Sequence, residues 1–204
     1  MPGRLLQTDA FVLLKRPPAD AFQSFTVFSA EYGALLVLQR LPKKSAAGPV
    51  LDLFDEASLQ LESSNQGQTW FVKEPRLLVR HAMIGRSYDA LRFASALAAL
   101  VARNPVHEES RAAVAALLRS AFAAFETATR PDIVYFKSLY RFARDEGYPV
   151  RQQWAAALPA REQTSVAALL NRPLAGQTSL VGEVARLQRR LEDYLRGHTE
   201  ILLD

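Results

Sequence analysis

A pair of lysines in a loop between two predicted strands is the feature of this sequence best suited to a chemical task. Lys43 and Lys44 precede Ser45 in residues 41–49, a segment whose Pro and Gly content is typical of an exposed loop. Ammonium groups in such a loop can neutralise the phosphates of a nucleic-acid backbone and release counterions without reading the bases. The same lysines also fit a solvated loop tip with no ligand, so charge alone leaves both interpretations open.

Other basic residues occur near the ends of the predicted strands. If their side chains converge on one face of a sheet, they would form a groove for a phosphate backbone. The candidate DNA-binding residues are Lys15, Arg16, Arg40, Lys43, Lys44, Lys73, Arg76 and Arg80. Base stacking would also need exposed aromatic rings, for which Tyr32, Phe71 and Trp70 are candidates, although core positions suit at least two of them. The net charge of +4, from 25 basic and 21 acidic residues, does not by itself indicate a nucleic-acid partner.

Motifs for catalysis and metal binding are missing from the sequence. The absence of cysteine excludes disulfides, thiolate zinc sites and cysteine nucleophiles. His107-Glu108 begins like a zinc-protease helix, but Arg111 occupies the position of the second histidine. Glycine-rich phosphate loops and the G-x-S-x-G elbow are also missing. Adjacent carboxylates at 55–56 and 145–146 are interpreted as solvated pairs, since nothing pairs them with a base or a metal. We expect no catalytic residue, metal or cofactor, and a hydrolase is only a remote alternative.

Composition describes an ordinary globular chain. The 204 residues are 49% apolar and 23% charged, which is enough for one large domain or two small ones. No apolar run reaches the roughly 18 residues that a membrane span needs. Residues 1–10 contain no apolar core of a secretory signal. We therefore expect a cytoplasmic protein that does not enter a membrane.

The apolar pattern predicts two kinds of structure, with the change near residue 82. Before it, alternation and short apolar runs predict five strands, and five strands in about 75 residues favour a closed barrel because closure removes exposed edges. After residue 86 the helical period predicts helices, with apolar stripes over residues 88–101, 114–125, 136–140 and 184–195. Asn104-Pro105 is expected to start the second helix, and residues 158–178 are the least patterned. The predicted class is α+β, with a five-stranded barrel in residues 1–82 and an all-α domain in residues 83–204.

The order of these features resembles the bacterial recombination mediator RecO family. Residues 8–13, TDAFVL, resemble its first strand, and residues 25–33, FTVFSAEYG, resemble its second strand and the turn that follows. Lys43-Lys44-Ser45 falls where members carry a basic loop, and residues 51–54, LDLF, match the next apolar strand. The stripes of the helical half and the segment Gly147-Tyr148-Pro149-Val150 are similar to the family's helices and to the exit of one of them. Order and spacing over residues 8–157 and 180–203 carry the resemblance.

The resemblance implies an N-terminal OB-fold and a helical domain that bind single- and double-stranded DNA. It also implies annealing of strands coated by single-strand-binding protein, and loading of recombinase together with RecR. Many members hold zinc through four cysteines, and this chain has none. The implied role is a non-catalytic mediator of DNA recombination and repair.

The resemblance also implies a partner site in the helical domain. An apolar groove rimmed by arginines would capture the acidic, Phe-ending tail of single-strand-binding protein. Arg141, Arg144 and Arg151 are the candidate rim residues by resemblance of region, and solvated helix-face arginines are the alternative interpretation. The alternative function is a RecO-like adaptor that binds proteins and has lost DNA annealing, which the missing cysteines and the low net charge motivate.

Overall fold

The computed structural model describes residues 3–19, 21–41, 49–64 and 68–203 of the chain. It forms two compact units, one of residues 1–81 with 101–119 and the other of residues 82–100 with 120–204. The described residues confirm the predicted α+β class, with a five-stranded sheet at the N-terminal end followed by helices. No helix within these ranges combines the length and the apolar character that crossing a bilayer requires.

The first unit contains the sheet. Its strands are β1 (Leu5–Lys15), β2 (Phe22–Ser29), β3 (Gly33–Arg40), β4 (Glu56–Ser63) and β5 (Trp70–Val79). The pairing order β1-β2-β3-β5-β4 closes on itself, because β1 pairs antiparallel with both β2 and β4. The β3–β5 pair is the parallel one, and β4 pairs antiparallel with β5.

Alternating side chains fill the interior of this closed sheet. In β2, Phe25 and Val27 are fully buried, whereas the neighbours Ser24 and Thr26 are only half-buried. A strand turns successive side chains to opposite faces, so this alternation is what the sequence pattern predicts. Trp70, at the start of β5, packs in the same core and is 8% exposed. Its indole is therefore a core group and not a stacking surface.

The helices begin and end as follows. The described residues contain α1 (Tyr88–Arg103), α2 (Arg111–Thr127), α3 (Pro131–Asp145), α4 (Ala160–Asn171) and α5 (Val181–His198). A π-helical turn, Val150–Trp154, follows α3. In the second unit, α3 packs against α5, whose buried stripe is Val184, Leu187, Leu191 and Leu195.

Three segments differ from the sequence predictions. Residues 51–54, expected in a strand, form a turn in which Phe54 has φ of +67°. The second helix begins at Arg111 and not at Pro105, after a short 3-10 turn over Glu108–Ser110. Residues 158–178 contain α4, whose buried side chains are only Val166 and Leu169. Two buried side chains make too short an apolar stripe for a periodicity argument to detect.

Candidate nucleic-acid interface

The outward face of β2 and β3 combines apolar and basic side chains. Phe22 is opposite Arg40 in the register of these strands, and Ser24 is opposite Leu38. Directly opposed residues of a sheet share one face, and the alternate residues Gln23 and Phe25 are buried on the other. Arg40 is exposed and makes no ion pair within the described part of the chain.

An aromatic pair extends this face towards β5. The rings of Phe22 and Phe71 have centroids 5.6 Å apart with an interplanar angle of 59°. Phe71 is opposite Leu38 in the parallel β3–β5 pair, and all three of these apolar side chains are half-buried. We call Phe22, Leu38, Arg40 and Phe71 the aromatic patch. Half-exposed rings beside an arginine are the groups on which single-stranded bases stack.

Arg16 follows the end of β1 and lies close to β2. The Arg16 amide donates to the Ser24 carbonyl at 3.1 Å, and the Gln23 side-chain amide donates to the Arg16 carbonyl. The Arg16 side chain is exposed and without an ion pair among the described residues. Arg16, just after β1, and Arg40, at the end of β3, are therefore two cations without an acidic partner among the described residues.

Two other predicted DNA-binding residues, Lys15 and Arg80, form ion pairs with acids of the turn before β4. Lys15 Nζ lies 3.0 Å from Asp52 Oδ1, and Arg80 bonds both carboxylate oxygens of Asp55. Burial pushes the pKa of Asp52 up, but hydrogen bonds from Lys15 and the Leu53 amide, with the charges of Lys15 and Arg80, outweigh burial and lower it. The hydrogen bond to Asp55 raises the pKa of Arg80. These two cations already have carboxylate partners.

Lys73 and Arg76 lie on β5. Lys73 Nζ is 2.5 Å from Glu62 Oε2, so this lysine is also paired within the chain. Arg76 is exposed, opposite Ser58 of β4, and has no ion pair among the described residues. Lys43 and Lys44 lie outside the described residues. Of the eight candidate cations, Arg16, Arg40 and Arg76 are thus described and have no acidic partner in the described part of the chain.

The aromatic patch was only partly foreseeable from the sequence. Phe71 was a stacking candidate, whereas Phe22 was not, although its position in phase with Ser24 and Thr26 could have placed it on the outward face. Tyr32 lies in the β2–β3 turn and is 38% exposed. The parallel β3–β5 pairing, which brings the rings of Phe22 and Phe71 together, is a long-range feature that strand patterns do not show.

Of the two carboxylate pairs expected to be solvated, residues 55–56 are instead buried, so that interpretation was wrong for this pair, whereas residues 145–146 are half-buried. Asp55 is fully buried and Glu56 is 4% exposed. Arg119 of α2 donates from Nε to both Glu56 carboxylate oxygens at 3.1 Å, and its guanidinium carbon lies 5.3 Å from the centre of the Phe11 ring. The hydrogen bond to Glu56 raises the pKa of Arg119. Each buried acid is neutralised by an arginine, which gives these acids a structural role.

In the second unit, two of the three candidate partner-binding arginines share one acid. Arg141 and Arg144 both reach Asp145, at 3.3 Å and 2.6 Å, and the Asp145 side chain is only 13% exposed. Burial raises the pKa of the Tyr140 hydroxyl, and the charges of Arg151 and Arg144 partly offset that rise. Arg141 and Arg144 lie in the last turns of α3, and Arg151 lies in the π-helical turn that follows it. Asp145 compensates part of their charge.

No protein-family model matches this chain, and no curated protein matches its sequence. Across the part of the chain that the structure describes, no group of three or more His, Cys, Asp or Glu residues is placed to hold a metal ion.

Proposed function

We propose that this chain is a non-catalytic, cytoplasmic DNA-binding mediator of recombination and repair, of the RecO type. In this proposal it binds single- and double-stranded DNA, anneals complementary strands, and loads recombinase with RecR and single-strand-binding protein. The observation that carries the proposal is the aromatic patch, where two half-exposed phenylalanine rings lie beside the uncompensated Arg40.

The strand order supports assigning the first unit as an OB-fold. A five-stranded closed sheet in the order β1-β2-β3-β5-β4, with β3 and β5 parallel, is the arrangement expected of that barrel. OB-folds bind oligonucleotides on the face of strands 2 and 3 and with the loops after strands 1 and 4. In that assignment the aromatic patch would belong to the binding face, with Phe22, Leu38 and Arg40 on β2 and β3 and Phe71 on the adjacent β5, and Arg16 would belong to the first of those loops.

The proposed mechanism requires no chemistry on the DNA. Arg16 and Arg40 would contact backbone phosphates while bases stack on Phe22 and Phe71, without reading sequence. Two strands held on one protein have a raised effective concentration for each other, which favours pairing. Lys43 and Lys44 would add two phosphate contacts.

Strand annealing tests this function. One oligonucleotide carries a fluorophore, its complement carries a quencher, and the protein is added with and without single-strand-binding protein. The proposal predicts faster quenching with the protein, including on coated strands. It also predicts that Arg40→Ala slows annealing, whereas Arg161→Ala, which removes an exposed arginine of the helical unit, does not. No acceleration on naked or coated strands would contradict the mediator function.

The second candidate is a RecO-like adaptor that binds proteins and does not anneal DNA. Three intrachain ion pairs favour it, because Lys15, Lys73 and Arg80 are already held by carboxylates. In this case Arg141, Arg144 and Arg151 would contact the acidic tail of single-strand-binding protein. A pull-down of RecR or single-strand-binding protein by a chain that anneals nothing would favour the adaptor. Replacing Arg141, Arg144 and Arg151 together with alanine should abolish binding of the tail peptide, whereas Arg161→Ala should leave it unchanged. That result would locate the contact.

A further inference from the structure

A cavity in the second unit lies between the π-helical turn and α5. Its volume is about 370 Å³. Trp154, Ala157 and Leu158 provide its apolar lining, and Gln153, Arg190 and Tyr194 provide its polar lining. One side is therefore apolar, and the other carries hydrogen-bonding groups and a positive charge.

The polar lining residues Gln153 and Arg190 hold more hydrogen-bond donors than the chain uses. The Trp154 indole N–H also has no acceptor among the described residues, but it is buried and contributes no accessible surface to the cavity. Gln153 accepts the Tyr194 hydroxyl at 3.0 Å through Oε1, which leaves its amide N–H groups without a described partner. Arg190 donates one hydrogen bond, at 2.5 Å, to Glu162. A guanidinium carries several further donors.

The charge on this side is only partly compensated. Glu162 also pairs with Arg186 at 3.7 Å, so one carboxylate serves two guanidinium groups. His198 lines the same cavity, with its ring stacked on Tyr194 at 4.8 Å. Unused donors beside excess positive charge favour a ligand that brings acceptor oxygens and negative charge.

The backbone beside the cavity has an unusual conformation. The Ala155 amide bonds the Val150 carbonyl five residues earlier, which is the π-helical pattern. Such turns are rare and occur often at functional sites. Here the turn places Gln153 and Trp154 side by side in the lining.

From these observations we propose that the Trp154–Arg190 cavity binds a small organic oxyanion, with its acidic group at Arg190 and Gln153 and a flat apolar body against Leu158 and Ala157. A carboxylate and a phosphate monoester share this chemistry. The site does not depend on DNA binding by the first unit.

Amide NMR of the full ¹⁵N-labelled chain tests the proposal through the tryptophan indoles. The chain has two tryptophans, so loss of one indole signal in Trp154→Phe assigns that residue. The probes are phenylacetate, phenyl phosphate and the neutral phenylacetamide. We expect a saturable shift of the Trp154 indole signal, with a dissociation constant on the order of 1 mM, for at least one of the two acids. The amide should bind about tenfold more weakly or not at all.

Two variants and a matched control locate the ligand. Arg190→Gln removes the proposed anion contact and Ala157→Leu fills the apolar side, and each should weaken binding about tenfold. Arg189→Gln, on the same helix but outside the lining, should leave it unchanged. A response to phenylacetate alone would identify a carboxylate, and one to phenyl phosphate alone a phosphate. No saturable shift with either acid, equal binding of the amide, or equal loss in Arg189→Gln would overturn the proposal.

Discussion

The guanidinium of Arg80 binds the carboxylate of Asp55 at two points, from Nε to Oδ1 at 3.0 Å and from Nη2 to Oδ2 at 2.7 Å. The Asp55 side chain is fully buried, whereas that of Arg80 is 43% exposed. The same arginine donates to the Val50 carbonyl. Arg80 thus joins the end of β5 to the turn before β4, and its first role is structural.

Removing Arg80 should destabilise the protein strongly. Arg80→Met leaves the Asp55 carboxylate buried without its counter-ion, which costs about 3 kcal/mol of the free energy of unfolding. Lys73→Met is the matched control on β5, because its partner Glu62 is partly exposed and such pairs contribute about 0–1 kcal/mol. Urea denaturation measures both variants. Equal losses would show that burial of Asp55 does not set the strength of its ion pair.

The ion pair of Asp52 should make a small contribution to stability that depends on pH. Because the folded-state pKa of Asp52 is lowered from 3.8, this contribution is present above that value and is lost as the pH falls through the folded-state pKa. Asp52→Asn should therefore lower the denaturation midpoint at neutral pH and match the wild type at acid pH. If the difference between the two denaturation midpoints stays constant down to acid pH, the charge of Asp52 is not the cause of that difference.

Gly33 occupies a backbone conformation that other residues rarely adopt. Its φ is +71°, in the turn between β2 and β3, and an added Cβ would lie 3.1 Å from the Arg111 side chain. Gly33→Ala should cost about 1–2 kcal/mol of the free energy of unfolding. Gly182→Ala, in α5 with open space around the new Cβ, should instead stabilise by about 0.5 kcal/mol. A neutral result at Gly33 would contradict the strain assigned to this turn.

The aromatic patch should contribute stacking energy to single-strand binding. Phe71→Ala is expected to cost about 1–3 kcal/mol per stacked base, or roughly 5- to 150-fold in affinity. Tyr88→Ala, which removes a 78% exposed aromatic residue of α1, should change affinity little. Fluorescence anisotropy with a labelled oligonucleotide measures both, and circular dichroism checks that Phe71→Ala is folded. Full affinity in a folded Phe71→Ala variant would exclude the ring as a stacking surface.

Local patterns were enough to predict much of the fold. The interval Phe22–Ser29 was predicted as a strand because it is rich in aromatic and β-branched residues, and β2 has these bounds. The third helix follows the same rule: a proline at its start and a glycine after its end are local signals, and α3 begins at Pro131 and ends two residues before Gly147, which has φ of +87°. These features depend on neighbouring residues only.

Features that depend on distant residues were not predictable in this way. Asp55 and Glu56 were interpreted as solvated acids because their partners, Arg80 and Arg119, are 25 and 63 residues away in the sequence. Part of the positive charge of the predicted basic groove is compensated for the same reason, since Lys15 pairs with Asp52 only in the folded chain. Long-range pairing therefore decides which predicted cations are free.

The measurement that tests the central claim most directly is the binding of a fluorescent single-stranded oligonucleotide at about 50 and 200 mM salt. Phosphate contacts predict affinity that falls steeply between these concentrations. Arg40→Ala should reduce the salt slope by about one, and the Lys43→Ala, Lys44→Ala double variant by about two. Arg161→Ala should leave the slope unchanged. No binding at the lower salt, or binding that does not respond to salt, would contradict a DNA-binding role for this protein.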